Sequence, residues 1–151
     1  MTPCASATRW ATPQAAAALG CAASAGIPLT HRDHAQACVF VTGHLKNGSV
    51  DLDWPMLARP RQTVVIYMGA NALPAIASQL IAHGLSSSTP VALIENGTTD
   101  SERRVVGTLA TIERQALRAR LQGPTLCMVG EVVGLAVAKA REFHFESRVG
   151  L

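Results

Sequence analysis

The sequence predicts an α/β fold, and three observations predict it. Two apolar runs of strand length, Thr63–Met68 and Val91–Ile94, are continuous rather than alternating, as in strands covered on both faces. Between them, Ala72–His83 repeats apolar residues at helical spacing, with Ile76, Leu80 and Ile81 on one face and Gly84 after the end. Strand patterns and helix patterns then go on alternating along the chain, which is the order an α/β sheet requires.

Residues 1–12 carry no periodic pattern, and the first 14 residues are expected to be poorly ordered. Ala15–Ala25 is rich in helix formers and stops at Gly26, with Pro28 beyond. The residues "ACVFVTG" read as a strand over Cys38–Val41 that ends at Gly43. Asn47-Gly48 is a turn signal, and Asp53 can cap a short helix carrying Trp54 and Leu57, with Pro55 in its first turn. Asn96-Gly97 closes the strand Val91–Ile94, and a further strand covers Arg103–Leu109. Ile112–Leu121 reads as a charged helix with Glu113 and Arg114 facing out. Thr125–Val129 is a strand, followed by Gly130 and a short helix. Residues 15–35 are expected to form a helix and linker, 36–140 a single α/β domain, and 141–151 a tail.

Composition excludes several classes. With 48% apolar and 15% charged residues over 151 positions, the chain can bury a core. Aromatics are 4%, so that core is built from Val, Ile, Leu and Ala. The net charge of +3 is spread along the chain rather than gathered in a basic stripe, which speaks against nucleic acid as a partner. No run reaches the ~18–20 apolar residues of a membrane span. The Ala-rich start resembles a secretory signal only loosely, since it lacks a Leu-rich centre, and a buried helix is the preferred reading. Cys4, Cys21, Cys38 and Cys127 are too irregularly spaced for a zinc site or a disulfide framework. They read as structural thiols of a reducing cytoplasm.

Three strands end on small or turn-forming residues: Tyr67-Met68-Gly69, Glu95-Asn96-Gly97 and Met128-Val129-Gly130. Ligands in open α/β sheets gather beyond the carboxyl ends of strands, and glycine there lets the backbone approach them. Loops after strands need glycine in any case, so the pattern permits a site without demanding one. The stretch "THRDH" gathers Thr30, His31, Arg32, Asp33 and His34. It follows Gly-Ile-Pro and reads as extended or turning, so His31 and His34 are expected to diverge rather than converge on a metal. Arg32 can clamp a carboxylate bidentately or pair with Asp33. No G-x-S-x-G elbow, phosphate loop or G-x-G-x-x-G fingerprint occurs.

Taken together, "GIPLTHRDHAQACVFVTGHLKNG", "LDWPMLARPRQTVVIYMG", "QLIAHG", "PVALIENGTT" and "GPTLCMVGEVVGL" resemble the uroporphyrinogen-III C-methyltransferases, over roughly residues 18–140. That family also forms the C-terminal module of siroheme synthase. The resemblance implies the second, C-terminal domain of the tetrapyrrole methylase fold, a mixed sheet flanked by helices. It implies S-adenosyl-L-methionine as cofactor, uroporphyrinogen III as substrate, precorrin-2 as product on the way to siroheme and cobalamin, a homodimer, and a cytoplasmic location without membrane or nucleic-acid partners. Carried over by position, Met68 of "YMG" and Gly97 of "ENG" contact the cofactor. Ala16 and Ala17 stand at the family's Thr-Ala, so Ala17 matches and Ala16 has lost the hydroxyl. Thr30, His31 and Arg32 become candidate contacts to a carboxylate-rich substrate.

The family's first half carries a G-x-G-P-G-D cofactor loop and the acid and base residues proposed for proton transfer, and neither is found in this sequence. The resemblance therefore covers the C-terminal portion only and assigns no catalytic residue and no metal. It implies a methyltransferase with impaired activity in this chain. The alternative is a non-catalytic folded fragment acting as a dimerisation or interaction module.

Overall fold

The computed structural model describes residues 12–43 and 50–136, with residues 12–16 described by their backbone alone. The elements run α1 (Thr12–Ala25), β1 (Ala37–Thr42), α2 (Trp54–Leu57), β2 (Gln62–Tyr67), α3 (Leu73–Ala82), β3 (Pro90–Glu95), β4 (Arg103–Thr108), α4 (Ile112–Ala119) and β5 (Thr125–Val129). A helical segment follows over residues 132–136. The turn expected at Asn47-Gly48 and the tail expected at 141–151 lie outside the described residues.

The five strands form one sheet in the order β1-β2-β5-β3-β4. β1 and β2 are parallel, with Ala37 opposite Gln62 and Thr42 opposite Tyr67. β5, the last strand in sequence, occupies the centre and runs antiparallel to both neighbours, β2 and β3. β4 returns beside β3 as an antiparallel edge. The sheet is therefore mixed.

Alternation on the central strands feeds two cores. Val64, Ile66, Val91, Leu93, Cys127 and Val129 point to one face, where they meet Trp54, Leu57, Ile76, Leu80 and Ile112 from α2, α3 and α4. Val65, Ala92, Ile94, Leu126 and Met128 point to the other, beneath Ala18, Cys21, Ala22 and Ala25 of α1 and Val132 and Val133. Both faces are thus covered, which accounts for the unbroken apolar runs. Each buried Leu, Ile or Val contributes about 1.5–3 kcal/mol, and Ile66→Ala, at a position with no exposure, is expected to cost about 2–5 kcal/mol.

Local signals explain the element ends. Asp53 accepts a hydrogen bond from the Met56 amide at 3.0 Å and caps α2. α3 buries Leu73, Ile76, Ala77 and Leu80, a stripe at i, i+3, i+4 and i+7. Ile81, expected on that stripe, is more than a third exposed. One further step of about 100° carries it past the edge of the buried face. A 3-10 turn, Ala70–Ala72, leads into α3. α4 stops at Ala119 because Arg120 adopts a left-handed conformation, φ 51°. α1 opens at Thr12, three residues before the start that its alanine run suggests.

Candidate functional site

Register decides which strand ends share an edge. Tyr67 pairs with Leu126 and Glu95 pairs with Thr125. The carboxyl ends of β2 and β3 therefore lie with the amino end of β5. Gly130, expected to join Gly69 and Gly97, lies at the opposite edge, where its amide donates to the Pro90 carbonyl at the start of β3. The antiparallel run of β5 is the reason. The segment before β5, rather than the one after it, reaches the candidate site.

At that shared edge lies a cleft of about 730 Å³. Ala17 and Cys21 of α1 form one side, Met68 and Asn71 after β2 another, and Asn96, Gly97 and Thr99 after β3 a third. Residues 121–126 close the fourth. Among the described residues that line it, none carries a formal charge. Three backbone positions at this edge are left-handed without being glycine: Met68 (φ 53°), Asn96 (φ 49°) and Thr98 (φ 69°). Such conformations cost about 1–3 kcal/mol each and cluster at ligand sites. Met68 is 57% exposed, so an apolar side chain is held at the lip with little protein to cover it.

Glycines set the close approaches. A β-carbon at Gly97 would meet the Sγ of Cys21, and one at Gly123 would meet the side-chain amide of Asn96. The floor of the cleft is thus backbone against thiol, and one rim is backbone against amide.

Two carboxylates beneath the rims fix them. Glu95 is 3% exposed. Its Oε1 accepts from the amides of Gln122 and Gly123 at 2.5 and 2.6 Å, and its Oε2 accepts from Arg103 at 3.3 Å. Arg103 also donates to the Ala119 carbonyl. The Gly123 amide foremost, then that of Gln122, holds the Glu95 carboxyl below its ordinary value. Glu102 accepts from the Ser24 hydroxyl at 2.6 Å, the Thr98 amide at 2.7 Å and Arg104 at 2.6 Å. The Ser24 hydrogen bond leads in holding its carboxyl down to about 2. Burial pushes the thiol of Cys21 up, and nearby Glu102 adds to it. Burial likewise pushes the Tyr67 hydroxyl up.

The structure brings Ala17, Met68 and Gly97 onto one cleft. Ala16 lies in α1, with its side chain outside those described. Thr30, His31 and Arg32 are elsewhere. His31 and Arg32 belong to a turn closed by the His31–Ala35 bridge, which Thr30 immediately precedes, and the Arg32 carbonyl accepts from Arg61 at 2.8 Å. Arg61 precedes β2, so this turn sits at the sheet edge opposite Met68. The side chains of His31 and His34 do not diverge as expected: the turn brings their rings to 5.0 Å apart, tilted by 43°. Among the described residues no group of three or more His, Cys, Asp or Glu could hold a metal, and no helix is long and apolar enough to cross a membrane. Sequence reasoning placed Asn96 at a strand end suited to a ligand but missed Cys21, read only as a structural thiol, and the 121–126 segment. Gly123-Pro124 ahead of an apolar run marks such a turn, but only strand direction brings it to the cleft.

The profile of the tetrapyrrole (corrin/porphyrin) methylases matches residues 11–113. A siroheme synthase of Nitrosospira multiformis is 58% identical over 123 residues, covering 82% of this chain and 26% of that protein. The chain thus spans about a quarter of that relative's length. Among solved structures, a uroporphyrin-III C-methyltransferase from Thermus thermophilus complexed with S-adenosylhomocysteine is 32% identical. It matches with a TM-score of 0.64 over 74% of this chain and 49% of its own. A cobalt precorrin-4 methyltransferase shares the fold at a TM-score of 0.68 and 18% identity, over 76% of this chain and 48% of its own.

Proposed function

Because the chain belongs to the tetrapyrrole (corrin/porphyrin) methylases, we propose that its cleft holds S-adenosylmethionine. The protein then serves the C-methylation of uroporphyrinogen III to precorrin-2, which leads to siroheme and cobalamin. One observation carries the reading: Ala17, Met68 and Gly97 line a single neutral cleft at the ends of β2 and β3.

The residues present fit the cofactor. A volume of about 730 Å³ lies within the ~300–1,000 Å³ of small-molecule sites. The walls offer apolar surface from Ala17, Ile94, Met68 and Leu126, suited to a flat adenosyl group. Asn96, Thr99 and Thr125 offer neutral donors and acceptors for ribose and base. A substrate bearing many carboxylates calls for cations, and this lining supplies none, so the cleft suits the cofactor rather than the tetrapyrrole. When bound, the cofactor's sulfonium supplies an electrophilic methyl group for transfer to a ring carbon.

The residues of this chain bind and orient. Met68, held left-handed and exposed, offers its thioether side chain to one face of the ligand. Gly97 keeps the third wall low enough for the backbone to meet it. Cys21 and Ile94 exclude water from the floor, since both are almost fully buried. The chain spans about half of the solved methyltransferase it matches. Methyl transfer needs donor and acceptor held in line, so the transfer is assigned to the whole protein and cofactor binding to this cleft. The assignment does not extend to Thr30, His31 and Arg32, which lie at the other edge.

Calorimetric titration with S-adenosylhomocysteine tests the reading. Micromolar affinity is expected, and absence of heat from a folded, monodisperse sample overturns it.

A further inference from the structure

We propose that Glu102 is a positioning residue of the cleft, one that locks the 96–102 loop onto α1 and so sets the wall formed by Gly97 and Thr99. The inference rests on the reading of the cleft as the cofactor site.

The loop's local hydrogen bonds run from the Thr99 amide and hydroxyl to the Asn96 carbonyl and from the Glu102 amide to the Thr99 carbonyl, and none of these is made by Thr98. Thr98, Thr99 and Asp100 are exposed, and Thr98 is a β-branched residue in the left-handed region, φ 69°, where such residues are rare. Its amide donates to Glu102 Oε2 at 2.7 Å. The same oxygen accepts from the Ser24 hydroxyl, in the last turn of α1, at 2.6 Å. The other oxygen accepts from Arg104 at 2.6 Å, and Arg104 donates in turn to the Ser24 carbonyl. One carboxylate therefore ties together the loop, α1 and β4. Its side chain is 9% exposed, so water competes weakly for these bonds.

The consequence reaches the cleft through one residue on either side of Thr98. Gly97 is brought so close over Cys21 that a β-carbon would strike the thiol. Thr99 donates its hydroxyl to the Asn96 carbonyl at 2.7 Å. Both neighbours line the cleft, whereas Glu102 does not touch it. Glu102 thus acts through the conformation of residue 98.

A double-mutant cycle tests the assignment on the full chain, using Glu102→Gln, Thr98→Gly and the pair together. Binding of S-adenosylhomocysteine and the exchange rate of the residue-98 amide are both read. Glycine adopts positive φ freely, so it removes the need for the clamp. Glu102→Gln is expected to weaken binding roughly tenfold, equivalent to about 1.4 kcal/mol. It is also expected to speed exchange of the Thr98 amide while the amides of β2 and β5 stay protected. In the Thr98→Gly background the same substitution is expected to cost less than about threefold, because the two effects are coupled. Unchanged binding in Glu102→Gln, or an equal loss in both backgrounds, overturns the proposal. If the unsubstituted protein gives no heat, the functional reading falls and the positioning role falls with it. An unchanged Thr98 exchange rate in Glu102→Gln separately overturns the clamp itself.

Discussion

Gly97 sits so close over Cys21 that a methyl group added to it would collide with the thiol sulfur. Gly97 has no left-handed backbone, so alanine there meets a steric obstacle and no conformational one. Overpacking of this kind costs about 1–3 kcal/mol. Gly97→Ala is expected to lower Tm by about 2–4 °C for each kcal/mol lost and to weaken S-adenosylhomocysteine binding. Adding Cys21→Ala should restore most of both. Melting curves and titrations of the two single variants and the pair check it, and no recovery in the pair would falsify the contact as the cause.

Met68 separates affinity from stability. It is 57% exposed and left-handed, and Asp tolerates that backbone better than most residues. Met68→Asp is expected to change stability by no more than about 0.5 kcal/mol. Losing a methionine's apolar contact, worth about 1.5–3 kcal/mol, should weaken S-adenosylhomocysteine roughly 10–100-fold. Titration beside a denaturant melt reads both, and unchanged affinity removes Met68 from the site.

Acid should act on the rims. Glu95 and Glu102 both titrate below their ordinary value of 4.5 in the folded chain. Unfolded chains therefore take up protons first as pH falls. The stability these carboxylates contribute is present above 4.5 and is lost as pH falls through their folded values, about 2 for Glu102. The paired variant Glu95→Gln with Glu102→Gln should show a smaller drop in Tm between about pH 7 and about pH 3 than the unsubstituted chain. An equal drop would mean that other carboxylates govern the acid limb.

Thiol chemistry should be quiet in the folded state. Burial pushes Cys38 up to about 11 and Cys127 up to about 12, and thiolate is the nucleophile. At about pH 7.5 iodoacetamide should leave the peptides containing both residues unmodified, and denaturant should expose them to alkylation. Peptide mass spectrometry distinguishes the two states. Rapid native labelling of Cys127 would contradict its place between β2 and β3.

Much of this fold was legible because the sequence carries burial directly. β5 appears at its expected bounds, Thr125–Val129, and β2 and β3 lie within a residue or two of theirs, since a strand covered on both faces has no polar interruptions. Asp53 announced α2 by the chemistry of capping. Strand direction was not legible. An apolar run reads the same both ways, so Gly130 was expected beside Gly69 and Gly97 and lies across the sheet from them. Three residues that the resemblance singles out line one cleft, yet Glu95 and Glu102 gave no sign of their roles. A buried carboxylate that accepts backbone amides is defined by contacts distant in sequence, such as Glu95 with Gln122 and Gly123.

The central position of β5 bears on how this protein emerges during synthesis. β1 and β2 can pair as soon as they are made, and so can β3 and β4, but the two halves share no ladder without β5. Until Thr125–Val129 leaves the ribosome, β2 and β3 each present an open apolar edge, the kind of surface on which nascent chains aggregate. One strand thus both joins the two halves of the sheet and brings in the fourth wall of the cleft.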